Sequence, residues 1–338
     1  MRDHGGNIDS AIAAYGGALA AWIDLSTGIN RRPFPVPPLP PEAWTILPTQ
    51  AARDALLTAV RAHYQTTAPV LAVAGAQAAI QMIPWLAPAG ATRKLARVLS
   101  PTYNEHGATL RAAGWQVEES AQLADLAGAD LAVVVNPNNP DGQTHARADL
   151  LALLPQVGRL VVDESFGDIT PELSMLPNAG LDKLLILRSF GKFWGLAGAR
   201  LGFVFGPKDD IATLSAMAGP WPVSGAALII GRAAYADLSW ATITRQRLQA
   251  EIPRIDALAH TAGWQVAGGT ALFRLYHTPD APAAQARLAR AHIWSRIFPW
   301  HPHWLRLGLP GSQPEWARLA TALGQAAAPS SDTSLNIV

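Results

Sequence analysis

Cysteine is missing from all 338 residues. That excludes disulfides, thiolate nucleophiles, and zinc or iron–sulfur centres ligated by cysteine. Charge is sparse as well: 15% of residues are charged and the net charge is +1. The basic residues are scattered, so the chain lacks the electrostatic footprint of a nucleic-acid or anionic-membrane binder. Apolar runs of membrane-spanning length are also lacking. Residues 70–91 carry no charge, but Gly75, Gln77, Gln81, Pro84, Pro88 and Gly90 interrupt them; a strand, a turn and a helix are expected there instead. Residues 11–23 are apolar too, yet Asp3, His4, Gly5, Gly6, Asn7 and Asp9 precede them, unlike the positive start of a secretory signal. Solenoid repeats and low-complexity domains are absent. What is present is 49% hydrophobic residues, enough to core one large domain or two moderate ones. A soluble, cytoplasmic protein is the expectation.

Residues 33–41 are rich in proline and read as an extended connector. From 70 to 206, short apolar runs alternate with helical spacing. The runs are 70–74, 96–99, 116–118, 131–135, 160–162, 184–187 and 201–205, with helical patterns over 76–86, 105–113 and 147–154. Strands separated by helical crossovers predict an α/β fold, a mostly parallel seven-stranded sheet sandwiched by helices. Ligands of such sheets bind beyond the carboxyl ends of the strands. Past 223 the pattern changes to a long helical stretch (225–260), a strand (272–276), a helix (283–293), a strand (304–307) and a last helix (314–326). This predicts a smaller α+β domain. The expected division is 45–222 for the large domain, 1–44 plus 223–330 for the small domain with its N-terminal arm, and 331–338 for a flexible tail.

Several polar residues fall at the predicted strand ends. Lys192 lies in Ser189-Phe190-Gly191-Lys192, just after the run 184–187, with Arg200 eight positions on. A buried lysine there is a Schiff-base nucleophile, and Ser189 and Arg200 suit a phosphate, a combination that points to pyridoxal phosphate. Asp163 ends another run; it either holds a pyridine nitrogen protonated, caps a helix or ligates magnesium. Asn136 to Gly142 form a rigid turn whose asparagines either donate to a phenolate-like oxygen or only shape the turn. Gly75-Ala76-Gln77 offers backbone amides before a helix, as a phosphate seat or a plain tight turn. Tyr103 either stacks on a cofactor or fills core. Arg306, among apolar neighbours, wants a substrate carboxylate or an internal ion pair. His4-Gly5-Gly6-Asn7 is either a loose terminus or a backbone wrap for an anion.

In this order, the residues resemble the fold-type I, class I/II aminotransferase superfamily of pyridoxal-phosphate enzymes, over nearly the whole chain. The resemblance implies pyridoxal 5′-phosphate attached to Lys192, with Asp163 on the ring nitrogen and Asn139 on the 3′-oxygen. It implies Tyr103 stacked on the ring, Gly75, Ala76, Gln77, Ser189 and Arg200 around the phosphate, and Arg306 on a substrate carboxylate. No metal is expected. Within the superfamily, His4-Gly5-Gly6-Asn7, the segment 24–30 and Pro220-Trp221-Pro222-Val223 are similar to the L-threonine-O-3-phosphate decarboxylases of cobalamin biosynthesis. That branch implies release of CO2 from a phosphorylated amino acid, substrate contacts from His4, Gly5, Gly6, Asn7, Gly28 and Asn30, and a homodimer. Histidinol-phosphate aminotransferases share the cofactor residues and supply the alternative. Two positions depart from the superfamily. Phe166 replaces a tyrosine that bonds the 3′-oxygen, and Leu47 replaces one that reaches the partner subunit's phosphate.

Overall fold

A computed structural model describes residues 4–86 and 93–324; the expected tail, 331–338, lies outside them. The apolar runs form seven strands: β1 (Val70–Val73), β2 (Leu95–Leu99), β3 (Gln116–Ser120), β4 (Leu131–Val135), β5 (Leu160–Asp163), β6 (Leu184–Ser189) and β7 (Gly202–Phe205). Their order in the sheet is β1-β7-β6-β5-β4-β2-β3. Strand β7 is antiparallel to both of its neighbours, and the other pairs are parallel. Both faces of the inner strands are covered, so these are mainly apolar and the period of two only sorts them between two cores, whereas the edge strand β3 is polar and buries none of its residues. Val161, Leu185, Leu187 and Val204 face one core; Leu160, Val162, Ile186 and Phe205 face the other.

A second sheet contains β8 (Gln265–Thr270), β9 (Phe273–His277), β10 (Arg296–Phe298) and β11 (His301–Gly308), ordered β10-β11-β9-β8 and antiparallel throughout. It packs on a third core that includes Leu25, Ile255, Leu288, Leu305 and Trp316. Ile23–Asp24 pairs in parallel with Ile293–Trp294, which ties the N-terminal segment to this part of the chain. The predicted helix over 225–260 is two helices, Gly225–Ala236 and Leu238–Thr261. Asp237 separates them, and its carboxylate accepts from the Trp240 amide at 2.9 Å as an N-cap. Among the described residues, no helix is long and apolar enough to cross a membrane.

Candidate active site

Parallel pairing of β4, β5 and β6 brings their carboxyl ends side by side. Val135 pairs with Asp163, and Asp163 with Leu187. The helical turn Phe190–Phe193 follows β6 directly and carries Lys192. The Asn136–Gly142 loop, Asp163 and Lys192 therefore meet at one sheet edge.

The Lys192 ammonium donates to the Thr27 carbonyl at 3.2 Å, and the Asn30 amide donates to the Lys192 carbonyl at 2.9 Å. Burial, then the nearby Arg306 charge, pushes the Lys192 pKa down to about 8; Asp163 and Asp24 oppose the shift. Asp163 is buried, with Oδ2 2.8 Å from His106 Nε2. Its Oδ1 accepts from the Ser165 hydroxyl at 2.6 Å and the Ser165 amide at 2.9 Å. Burial alone would raise its pKa, but the His106 bond and charge and the two Ser165 bonds outweigh that and leave it lowered. Asp163 is thus a fixed anion at the sheet edge.

Lys192 borders a cavity of about 810 Å³ whose wall also includes Tyr103, Asn139, Arg296, Arg306 and His4. Arg306 donates to the Asn139 side-chain oxygen and, at 2.6 Å, to the Ser26 carbonyl. Its Nε is buried without a protein partner. Burial, then the Arg296 charge, pushes the Arg306 pKa down to about 9, against a pull from Asp24. A guanidinium so placed is short of anions. Arg296 sits directly across the strand pair from Arg306. The sequence reading missed it, because a three-residue strand shows no periodicity. His106 was missed too, since nothing links it to Asp163, 57 positions away.

The expected phosphate seat also comes together. Ser189 pairs with Gly202 across β6 and β7, and Arg200 stands two residues before that pair, at a left-handed φ of 50°. Gly75 has φ +78°, a conformation that favours glycine, and lies against the Arg200 guanidinium, whose Nη2 a Cβ there would approach to 2.6 Å. Gln77 uses its side chain elsewhere: it accepts from the Tyr103 hydroxyl at 3.2 Å and donates to Glu105 at 3.0 Å. Glu105 in turn holds His4 Nε2 at 2.8 Å. His4 and Gly5 line the cavity, whereas Gly6, Asn7, Gly28 and Asn30 do not. The Gly6 amide donates to the Ser26 hydroxyl, and Asn7 caps the helix Ile8–Tyr15. Gly28 packs on Phe273 and Phe166. The Asn30 side chain donates to the Phe193 carbonyl at 2.9 Å and accepts from Arg247 at 2.8 Å, which braces the lysine turn instead of facing the cavity.

A near-neutral buried lysine, a buried carboxylate, an asparagine, and a guanidinium beside an obligatory glycine match the donors that pyridoxal phosphate requires. Residues 41–323 match the family model for aminotransferase class I and II. The chain belongs to this family, whose cofactor is pyridoxal phosphate. It is 43% identical to a threonine-phosphate decarboxylase of Sinorhizobium sp over 330 residues, 95% of this chain and 97% of the relative. It is 42% identical to the threonine-phosphate decarboxylase of Pseudomonas aeruginosa over 330 residues, 96% of this chain and 97% of that one. A solved histidinol-phosphate aminotransferase of Sinorhizobium meliloti, in complex with pyridoxal-5′-phosphate, superimposes with a TM-score of 0.75 at 19% identity, covering 93% of this chain and 92% of the other.

Proposed function

We propose that the protein decarboxylates L-threonine O-3-phosphate to 1-amino-2-propanol O-phosphate in cobalamin biosynthesis, as a cytoplasmic homodimer that uses pyridoxal 5′-phosphate. The observation that carries this reading is the 43% and 42% identity to two threonine-phosphate decarboxylases over nearly the whole chain. The site supports it: two guanidiniums, Arg296 and Arg306, share one cavity with Lys192, as a substrate with both a carboxylate and a phosphate requires.

Pyridoxal phosphate, when bound, supplies an electron sink for the pair released as a bond at the amino acid's Cα breaks. Lys192 would hold the cofactor covalently. Asp163, kept ionised by His106 and Ser165, would hold the ring nitrogen protonated. Asn139, whose side-chain oxygen receives Arg306, would donate its amide to the 3′-oxygen. Tyr103 would stack on the ring, and the amides of Gly75, Ala76 and Gln77 would join Ser189 and Arg200 around the phosphate. Arg306 would bind the substrate carboxylate and so select the bond from Cα to it for cleavage. Arg296 and His4 would receive the substrate's phosphate, beside Gly5, which lines the same cavity. With its pKa near 8, the Lys192 amine, when free of the cofactor, would hold a proton and return it to Cα after CO2 leaves.

Were the bond from Cα to its hydrogen selected instead, the same residues would support transamination. The likeness to the histidinol-phosphate aminotransferase, at 19% identity, concerns the fold alone. Incubating the cofactor-loaded protein with O-phosphothreonine and no keto acid is expected to release CO2 and an equal amount of 1-amino-2-propanol O-phosphate. Turnover that strictly requires a keto acid would transfer the reading to the aminotransferases.

A further inference from the structure

The loop that carries Asn139 is rigid. The Thr102 hydroxyl donates to Asn138 at 2.6 Å, Asn138 donates to Asp141 at 2.8 Å, and the Gly142 amide donates to the Asn138 carbonyl at 2.9 Å. This loop belongs to the seven-stranded sheet, yet it touches the four-stranded sheet backbone to backbone. The Gly269 amide donates to the Asp141 carbonyl at 2.6 Å. A Cβ on Gly142 would fall on the Gly269 carbonyl, and one on Gly268 would fall on the Asp141 carbonyl, both well inside the 3.0 Å that real Cβ atoms keep. Gly142 also has φ +75° and Gly269 φ +132°, conformations that favour glycine. The register slips next to Gly268, between its partner Leu275 and Tyr276, a bulge that re-aims β8 toward the loop.

The register gives this seam its reach. Gly268 pairs with Leu275, Leu275 with Arg306, and Arg306 with Arg296. One transverse row of the four-stranded sheet thus has the seam at one end and both cavity guanidiniums at the other. Hydrogen-bonded strands keep a fixed spacing of about 4.8 Å, so the seam and the arginines move together.

We propose that the contact of Asp141–Gly142 with Gly268–Gly269 is a positioning device for the reaction, setting Arg306 and Arg296 at a fixed distance from Asn139. Gly142 and Gly268 are its positioning residues. The inference rests on the proposed function for the identity of the substrate, but not for the geometry. A side chain at either glycine wedges the row away from the loop by roughly 1 Å, a displacement that costs catalysis up to 10²-fold.

The test uses the cofactor-loaded, full-length protein. Gly142→Ala and Gly268→Ala are expected to raise KM for O-phosphothreonine about tenfold or more. They are also expected to raise the pH midpoint of the cofactor's visible band by ~0.5 unit, because a displaced Asn139 bonds the 3′-oxygen less well. Gly263→Ala is the control: it has φ +79° and nothing within 4 Å of a Cβ, so it adds similar backbone strain away from the seam. Seam variants that match Gly263→Ala in both readouts overturn the proposal. If they do not fold, hydrogen exchange on the wild type decides. Exchange at the Gly269 amide that slows when O-phosphothreonine binds supports the seam, and unchanged exchange overturns it. A wild type that releases no CO2 sinks the decarboxylase reading alone, since the absorbance midpoint still judges the seam.

Discussion

Lys192 is useful because it is buried among charges of both signs. Its pKa of about 8 lies below the 10.5 of an ordinary lysine. Between those values the unfolded chain binds more protons than the folded one, so stability rises with pH across that window. The thermal midpoint of the cofactor-free protein is therefore expected to climb from about pH 8 toward pH 10 relative to Lys192→Met. Parallel pH profiles for the two proteins would refute this. Lys192→Ala should also abolish the visible absorbance that added pyridoxal phosphate gives the wild type. Such residues were legible in the sequence because each ends an apolar run, as Asp163 does after Val161-Val162. His106 and Arg296 were not, because their partners are chosen by tertiary packing across 57 residues and across a three-residue strand. Asn30 entered only as a substrate contact implied by the family resemblance, and no pattern in the sequence shows that its amide serves the Phe193 carbonyl.

At the scale of elements, the period of two lets adjacent residues divide two tasks. Asp163 and Ser189 end their strands at the cofactor edge. Their neighbours Glu164 and Arg188 join each other on the far side, 2.9 Å apart and 1% exposed. Asp168 completes that cluster at 3.2 Å from Arg188, and the Ser174 hydroxyl accepts from Arg188 at 2.9 Å. The cluster pins the ends of β5 and β6 from beneath. Removing one member leaves buried charges unpaired, so Arg188→Met is expected to cost about 3–5 kcal/mol in urea unfolding. A loss below roughly 1 kcal/mol, the value of a surface pair, would show that the cluster does not pin the strands. Six of the seven strands of the larger sheet were visible as apolar runs because both of its faces are covered there, while the edge strand Gln116–Ser120 is polar and buries none of its residues. Strands β8 and β10 were not, since Gln265–Thr270 holds two glycines and Arg296–Phe298 spans three residues. Both become strands only through their partners, as edge strands generally do.

At the scale of the whole molecule, one apolar face lacks a partner among the described residues. Trp44 is 67% exposed, Leu47 62%, Ile46 56% and Trp221 54%. They form one surface: Arg53 donates to the Pro220 carbonyl at 3.0 Å, and a Cβ on Gly225 would lie 2.7 Å from the Ala43 carbonyl. A clustered set of large exposed apolar side chains marks an interface, not ordinary surface. Our proposed homodimer covers it by a two-fold contact, in which the same patch serves both copies. Charged substitution tests this directly. Trp44→Asp with Trp221→Asp puts carboxylates at the centre of the contact from both sides, and like charges facing each other there cost several kcal/mol. Sedimentation is expected to find the wild type as a dimer and the double variant as a monomer that keeps the wild-type circular dichroism. Because Leu47 replaces the tyrosine that reaches the partner's phosphate in relatives, the monomer should still bind pyridoxal phosphate through Ser189, Arg200 and Lys192. A double variant that remains dimeric would move the interface elsewhere. A monomer that has lost the cofactor would mean that the partner subunit completes the phosphate seat after all.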